Sequence, residues 1–102
     1  MGTKTEGKAN AVKKLERQVE VINRLGLHAR ASAKLVKTAA SFASSVEVHA
    51  NGKMVDGKSI MGLMMLAAAQ GSVIKLQICG ADAEPAMEAI VALFANRFDE
   101  DE

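Results

Sequence analysis

The residues best suited to chemistry are His28 and Arg30, in the stretch NRLGLHARASAKLVK (23–37). Gly26 precedes the histidine, and a sequence with helical spacing follows it. The start of a helix leaves its first N–H groups unpaired and carries a partial positive charge, so it binds anions readily. The planar guanidinium of Arg30 can grip phosphate oxygens. A neutral imidazole is a nucleophile, and the positive surroundings disfavour its protonated form.

No acidic residue lies between Glu20 and Glu47, so no local carboxylate would repel a phosphate dianion. The sequence also places no acid, base, second nucleophile or metal-binding cluster beside His28, and we expect neither a cofactor nor a metal ion. Such a site can hold a phosphoryl group but cannot act on a small substrate alone. We therefore predict a phosphoryl carrier, not an enzyme, with Arg30 and Ala29 as phosphate-stabilising residues and catalysis supplied by partner proteins.

The composition limits the class of protein. The chain has 102 residues, enough for one small domain, and 49% of them are hydrophobic and 25% charged, as in ordinary globular proteins. The single cysteine, Cys79, excludes an internal disulfide and a multi-cysteine zinc site. No signal peptide and no apolar run of roughly 20 residues is visible. We expect a cytoplasmic monomer that does not bind membranes.

The net charge of +1 is unevenly distributed. Residues 1–37 carry nine basic and three acidic side chains, a net of +6, whereas residues 38–102 carry four and nine, a net of −5. The basic end would attract a phosphate group or an acidic partner. Nucleic acid would be the competing partner, but no aromatic platform accompanies the basic residues, and we do not expect it.

Hydrophobic periodicity predicts the elements that position these residues. Alternation predicts strands, and apolar residues at helical spacing predict helices, the last with Pro85 in its first turn and Asp82 as its cap. Asn51-Gly52 predicts a two-residue hairpin. The predicted strands span 15–22, 46–50, 53–56 and 74–79, and the helices lie around 32–43, 59–69 and 82–97.

Each predicted strand has one apolar face, which favours an antiparallel sheet covered on one side. The predicted fold class is therefore α+β, an open-faced sandwich of a four-stranded antiparallel sheet with three helices on one face, in the order β-α-β-β-α-β-α. Residues 1–14 are predicted to be a flexible tail, and residues 15–102 one domain. The acidic ending FDEDE (98–102) is predicted to be solvated.

The segment Gly52 to Ser59, GKMVDGKS, satisfies the pattern of a nucleotide-binding phosphate loop. That loop follows a buried parallel strand and is continuous. Here Asn51-Gly52 predicts a hairpin turn, and the following residues predict a strand. Nucleotide binding through this segment is therefore an unfavoured alternative.

The helix that follows Ser59 is apolar on two sides. Ser59 is predicted to be its N-cap, and Leu63 and Leu66 are predicted to face the core. The remaining apolar residues are too many to bury together, and methionines adapt to more than one partner. We define the predicted docking surface as Ala33, Lys37, Ile60, Met61 and Met64.

The segments LGLHARASAKLV (25–36) and NGKMVDGKSIMGLMML (51–66) together resemble the HPr family, the histidine phosphocarriers of the bacterial phosphoenolpyruvate-dependent phosphotransferase system. The resemblance extends over residues 15–102. It implies that enzyme I phosphorylates His28 on Nδ1, that an EIIA-type protein receives the group, and that Arg30 is the family's phosphate-contacting arginine.

Two further residues follow from the resemblance. The family has a proline after that arginine where this chain has Ala31, which restores an N–H group. Ser59 matches the serine that the HPr kinase/phosphorylase modifies in some members, so a regulatory binding module switched at Ser59 is a second alternative. The ending AMEAIVALFANRFDEDE (86–102) is similar to the nitrogen-type branch, NPr, so the choice between sugar uptake and nitrogen-type regulation stays open.

Overall fold

Within the described residues, four strands and three α-helices follow one another in the predicted order. The computed structural model describes residues 12–102. Its strands form one antiparallel sheet, and its helices cover one face, which confirms the predicted α+β open-faced sandwich. Within these residues, no helix is long and apolar enough to cross a bilayer. The elements are β1 (Lys13–Glu20), α1 (Ala29–Ala40), β2 (Ser45–Ala50), β3 (Lys53–Asp56), α2 (Ile60–Met65), β4 (Val73–Gly80) and α3 (Ala83–Ala95).

The core lies between the sheet and the helices. The strand order is β1-β4-β2-β3, so β4 and β2 are the central strands. In β4, Ile74, Leu76 and Ile78 are fully buried. Val46 and Val48 of β2 are paired with Ile78 and Leu76 across the ladder. Because side chains alternate along a strand, this register puts these apolar residues on the same, helix-covered face.

The first strand begins earlier than its alternation predicts. β1 starts at Lys13, not at Leu15, and pairs with β4 from Lys13 opposite Gly80 up to its end at Glu20. Backbone groups need hydrogen-bond partners whatever their side chains are, so the ladder extends past the apolar positions. Residues 1–11 of the predicted tail lie outside the described residues.

Helix α1 turns its predicted apolar stripe to the core but ends early. Leu35 and Ala39 are fully buried. The helix ends at Ala40. Beyond it, the N–H of Phe42 donates a 3.2 Å hydrogen bond to the carbonyl of Ala39, which forms a tighter turn than that of an α-helix. Phe42 and Ala43, which were predicted within the helix, therefore lie in the turn that leads to β2.

Asp82 fixes that turn. It occupies the N-cap position of α3, but its side chain makes no hydrogen bond to that helix. Its carboxylate accepts hydrogen bonds from the backbone N–H groups of Ala43 and Ser44, both at 2.9 Å, and from the Ser44 hydroxyl. The bond from Ser44 and then that from Ala43 hold the pKa of Asp82 below its usual range. The prediction that Asp82 caps α3 is therefore wrong for its side chain, because the carboxylate links the residues before α3 to the turn before β2.

The predicted hairpin at Asn51-Gly52 is confirmed. Asn51 has φ of 53° and Gly52 has φ of 77°, the two left-handed residues of a type I′ turn. The hairpin pairs β2 with β3, and Val48 lies opposite Val55. This turn sets the register of β3, which occupies the predicted residues.

Helix α2 is shorter than the helix predicted over 59–69, because it ends at Met65. Ala67 has φ of 53°, a left-handed conformation that a right-handed helix cannot continue. The side chain of Asn51 donates a 2.8 Å hydrogen bond to the carbonyl of Leu66. A residue of the hairpin thus satisfies one of the carbonyls that every helix end leaves open.

The C-terminal segment, residues 97–102, folds back onto the domain. The prediction that its acidic ending is solvated is confirmed for Asp99, Asp101 and Glu102, which are exposed, and is wrong for Phe98 and Glu100. Phe98 is fully buried, and its ring packs edge-on against Phe94 with the centroids 4.9 Å apart. Arg97, Phe98 and Asp99 have φ between 53° and 63°, which costs roughly 1–2 kcal/mol per residue. Burial of the Phe98 ring offsets this cost.

Side chains and backbone of the first half of the chain hold the same segment. The Nζ of Lys34 donates a 2.7 Å hydrogen bond to the carbonyl of Phe98 and lies 3.6 Å from the Asp99 carboxylate. The backbone N–H of Arg24 donates to the main-chain oxygen of Glu102 at 2.6 Å. The C-terminal segment is therefore fixed both to α1 and to the loop before it.

Replacing Phe98 by alanine should lower the free energy of unfolding by about 3–5 kcal/mol, because a fully buried ring is lost and a cavity is left. Urea unfolding followed by circular dichroism measures this change. Met61→Ala is the control, since Met61 is 74% exposed and its loss should change stability by less than about 0.5 kcal/mol. Equal effects of the two substitutions would contradict the packing of the C-terminal segment.

Candidate functional site

His28 stands between a loop and α1, as predicted. Its φ and ψ of −79° and −176° are extended, and its carbonyl accepts the N–H of Ser32 at 2.8 Å as the first bond of the helix. The N–H groups of Ala29, Arg30 and Ala31 precede that bond and have no intrahelical partner. With no acidic residue in the first turn of α1, these donors keep the positive end of the helix dipole.

The loop before His28 is held by backbone contacts. Gly26 has φ of 69°, and a Cβ at this position would lie 2.5 Å from the carbonyl oxygen of Ala68. The N–H of Leu27 donates a 2.9 Å hydrogen bond to the same oxygen. Only glycine fits a left-handed conformation at such a close approach. The chain after α2 therefore fixes where the loop delivers His28.

The His28 ring is in direct contact with a carboxylate that sequence reasoning missed. Its Nε2 lies 2.5 Å from Oε2 of Glu100, 72 residues further along the chain. Among the described residues, none forms a hydrogen bond with Nδ1 of His28. The expectation that no carboxylate lies near the site is therefore wrong, because the C-terminal segment supplies one.

Asn23 makes a second contact with the Glu100 carboxylate. The Nδ2 of Asn23 donates to Oε1 of Glu100 at 3.1 Å and to the carbonyl of Gly26 at 2.9 Å. Desolvation raises the pKa of Glu100. The hydrogen bonds from His28 and Asn23 and the charges of His28 and Lys34 together lower it by more, so the pKa of Glu100 lies below its usual range. The carboxyl group is therefore ionised at neutral pH.

His28 and Glu100 line an open cleft of about 590 Å³. Its walls are the loop residues 24–25, the residues 28–30 at the start of α1, and residues 100–102. The walls carry both signs of charge, since two arginines and three acids line them. One pair is already formed, because the guanidinium of Arg24 donates to the carboxylate of Glu102.

The predicted phosphate-stabilising residues lie at this cleft. Ala29 and Arg30 are both exposed and line its wall. Ala31, which stands where the resembled family has proline, is fully buried in the first turn of α1. Its N–H is one of the unpaired donors of that turn, so alanine adds a donor that proline lacks.

The predicted docking surface is exposed. Ile60, Met61 and Met64 are 41%, 74% and 47% exposed on α2, whereas Leu63 and Leu66 are fully buried as predicted. Ala33 and Lys37 are exposed on α1, which packs against α2. Sequence reasoning missed Met65 and Leu25, which are 65% and 57% exposed.

Ser59 is the N-cap of α2, as predicted. Its hydroxyl oxygen accepts the N–H of Gly62 at 3.0 Å, and the residue is half-buried. The next residue, Ile60, is an exposed member of the docking surface. The structure thus places Ser59 at the beginning of the helix that carries most of this surface.

The segment Gly52 to Ser59 does not form a phosphate loop. Its N–H donors are used within the chain: that of Gly57 donates to the carbonyl of Val46 at 2.7 Å, and that of Lys58 to the carboxylate of Asp56 at 2.9 Å. The Nζ of Lys58 donates to the carbonyl of Phe42. Since a phosphate loop needs these groups free, the geometry argues against nucleotide binding here.

Comparison with known proteins shows the family of this chain. A family model described as "PTS HPr component phosphorylation site" matches residues 15–96. The chain belongs to the HPr family of the phosphotransferase system. The HPr family acts as phosphocarriers within that system, which is therefore the general role of this chain.

Individual relatives of the HPr family are similar over nearly their whole length. "Phosphocarrier protein HPr" of Cupriavidus necator is 56% identical over 88 residues, which are 86% of this chain and 99% of that protein. "Phosphocarrier protein NPr" of Shewanella violacea is 44% identical over 87 residues, 85% of this chain and 96% of that protein. The structure of HPr-C-His from Thermoanaerobacter tengcongensis has a TM-score of 0.83 at 43% identity, covering 86% of this chain and 99% of that one.

Replacing Gly26 by alanine should lower the free energy of unfolding by about 2–4 kcal/mol, because a left-handed conformation and a clash with Ala68 act together. Gly71→Ala is the matched control: Gly71 has φ of 93° but no atom within 4 Å of a Cβ, so only the backbone term of about 1–2 kcal/mol remains. Urea unfolding measures both. Equal losses would mean that the contact with Ala68 does not hold the His28 loop.

Proposed function

We propose that His28 accepts a phosphoryl group on Nδ1 from phospho-enzyme I and passes it to an EIIA-type protein. The contact between Nε2 of His28 and the Glu100 carboxylate carries this proposal. A carboxylate accepts hydrogen bonds, so the proton of a neutral ring lies on Nε2 and the lone pair on Nδ1. The nucleophilic atom is then Nδ1, at the start of a helix that favours anions.

The surroundings of His28 suit a phosphoryl group that arrives and leaves. Ala29 and Arg30 lie at the same cleft, where a backbone N–H and a guanidinium can each bind a phosphate oxygen. The described residues near His28 offer no second nucleophile. We therefore assign the catalysis of transfer to the partner proteins, so the chain is a carrier and not an enzyme.

The exposed apolar side chains of α2 support docking of these partners. Ile60, Met61 and Met64 lie on the helix that packs against α1, and Ala33 and Lys37 belong to the exposed side of α1. Unbranched methionines adapt their shape, which suits a surface that meets a donor and then an acceptor. Enzyme I, the acceptor and this carrier would meet in the cytoplasm, with the carrier as a monomer.

Regulation at Ser59 by an HPr kinase/phosphorylase is a second candidate function. A phosphate on the N-cap would be stabilised by the start of α2 but would add roughly two negative charges. Ile60 and Met61 follow directly and are exposed. The added charge would therefore lie beside the docking surface and oppose apolar contact with a partner.

Incubation with enzyme I and phosphoenolpyruvate should label the protein with an acid-labile, alkali-stable phosphate, because phosphohistidine has this stability. His28→Ala should abolish the label. His49→Ala is the matched control and should keep it, since His49 lies on β2 beside Glu47 and outside the cleft. Arg30→Ala should slow labelling about tenfold or more through the loss of a charge-assisted hydrogen bond, without unfolding the domain.

Absence of label on the wild-type protein would contradict the proposed function, as would label that survives in His28→Ala. An equal rate for Arg30→Ala and wild type would remove the assigned role of the guanidinium.

An acidic residue at position 59 should weaken docking. We expect Ser59→Asp to raise the KM of enzyme I for this carrier several-fold, because its charge lies beside the docking surface. Ser59→Ala is the control, which loses the cap and about 1 kcal/mol of stability but adds no charge. An unchanged KM for Ser59→Asp would contradict regulation through this surface.

A further inference from the structure

The carboxylate of Glu100 is held so that one defined oxygen meets the His28 ring. Oε1 accepts the 3.1 Å hydrogen bond from Asn23, and Oε2 lies 2.5 Å from Nε2 of His28. The Glu100 side chain is only 12% exposed, and that of His28 is 28% exposed. Water therefore competes weakly for this contact. Oε1 of Glu100 stays paired with Asn23, and Oε2 stays paired with His28.

Asn23 cannot easily reverse its amide. It is fully buried, and its Nδ2 also donates a 2.9 Å hydrogen bond to the carbonyl of Gly26. A reversed amide would put its oxygen against that carbonyl oxygen, two acceptors facing each other. The Gly26 carbonyl, in the loop that carries His28, thus fixes the Asn23 amide so that its Nδ2 group donates to Glu100.

We infer that Glu100 is a positioning residue that holds the His28 proton on Nε2, keeps the lone pair on Nδ1, and stabilises the cation that forms on the ring during transfer. This inference rests on the proposed function of His28. It assigns a role to a side chain of the C-terminal segment that neither the sequence pattern nor the resemblance indicated. The carboxylate acts through the ring and does not touch the phosphoryl group.

The proposed step balances without the loss of a proton. The Nδ1 lone pair forms a bond to phosphorus, while the bond from phosphorus to the donor's leaving atom breaks and its electron pair returns to the donor. The ring becomes a phosphorylated imidazolium that keeps its proton on Nε2, opposite the Glu100 carboxylate. Transfer to the acceptor reverses these changes. The same division of roles operates in hydrolases, where a buried carboxylate orients histidine and stabilises the imidazolium without taking its proton.

The fixed orientation of Asn23 makes a distinctive prediction for Glu100→Gln. The glutamine oxygen should take the place of Oε1 and accept from Asn23, which turns the NH₂ group toward His28. An NH₂ group donates, so Nε2 of His28 must then accept, and the ring proton moves to Nδ1. Nδ1 loses its lone pair. The isosteric Glu100→Gln should therefore be a poorer carrier than the truncated Glu100→Ala, in which water leaves both tautomers available.

The test combines a tautomer measurement with rates. Nitrogen-15 NMR of the unphosphorylated protein above pH 8 should show the His28 proton on Nε2 in wild type, on Nδ1 in Glu100→Gln, and a mixture in Glu100→Ala. Labelling by enzyme I and phosphoenolpyruvate should be slowed about tenfold in Glu100→Ala and about a hundredfold or more in Glu100→Gln.

Asp99→Asn is the matched control. It removes a carboxylate from the same segment, asparagine tolerates its positive φ, and the Asp99 side chain is 69% exposed beside Lys34. In Asp99→Asn, the His28 tautomer and the rate of labelling by enzyme I should both equal those of the wild-type protein. Thermal unfolding of each variant shows that the fold is retained.

The inference would be overturned if Glu100→Gln were labelled as fast as Glu100→Ala, or faster. Loss of charge or of packing alone predicts that result, because glutamine fills the same space as glutamate and alanine does not. If the wild-type protein takes up a phosphoryl group, but its unphosphorylated form carries the ring proton on Nδ1, the inference is overturned and the proposed function stands. Wild-type protein that takes up no phosphoryl group would overturn the proposed function, and the labelling assay reveals this before any variant is compared.

Discussion

Burial of the Phe98 ring against Phe94 is the interaction on which the geometry around His28 depends. The chain leaves α3 through three residues with left-handed backbone, a strained path that needs a compensating contact. The buried ring supplies that contact, and Lys34 adds a hydrogen bond to the Phe98 carbonyl. Glu100 follows two residues later, so a packing interaction in the core determines where the carboxylate meets the histidine.

The cleft combines charges that a simple anion site would not contain. The start of α1 and Arg30 attract a phosphoryl group, whereas Glu100, Asp101 and Glu102, which line the same cleft, oppose added negative charge. A site with only donors would bind phosphate tightly and release it slowly. Opposed charges suit a carrier, which has to accept a group and pass it on, and the pairing of Glu102 with Arg24 lessens the repulsion.

Much of the fold could be predicted because its signals are local. Alternating residues in β4, the Asn51-Gly52 turn and the apolar spacing in α1 each depend on neighbours a few positions away. The location of His28 and Arg30 at a helix start is local too. The resemblance to the HPr family added the expected partners and the expected serine, Ser59, but no geometry.

The features that sequence reasoning missed all depend on distant contacts. Glu100 reaches His28 across 72 positions, and the Asp82 carboxylate bonds to a turn rather than to its own helix. α2 ends early because the chain beyond Met65 turns back toward the hairpin. One signal was available: Phe98 lies four residues after Phe94, and an aromatic residue inside an acidic ending indicates that this ending is anchored.

The central claim is that Glu100 engages Nε2 of His28 and so leaves Nδ1 to carry the phosphoryl group. The most direct measurement is the coupling between phosphorus and ring nitrogen in nitrogen-15-labelled protein phosphorylated by enzyme I. We predict one phosphoryl group, coupled to Nδ1 of His28, with the proton retained on Nε2. A phosphoryl group on Nε2 of His28, or on any other residue, would contradict the account.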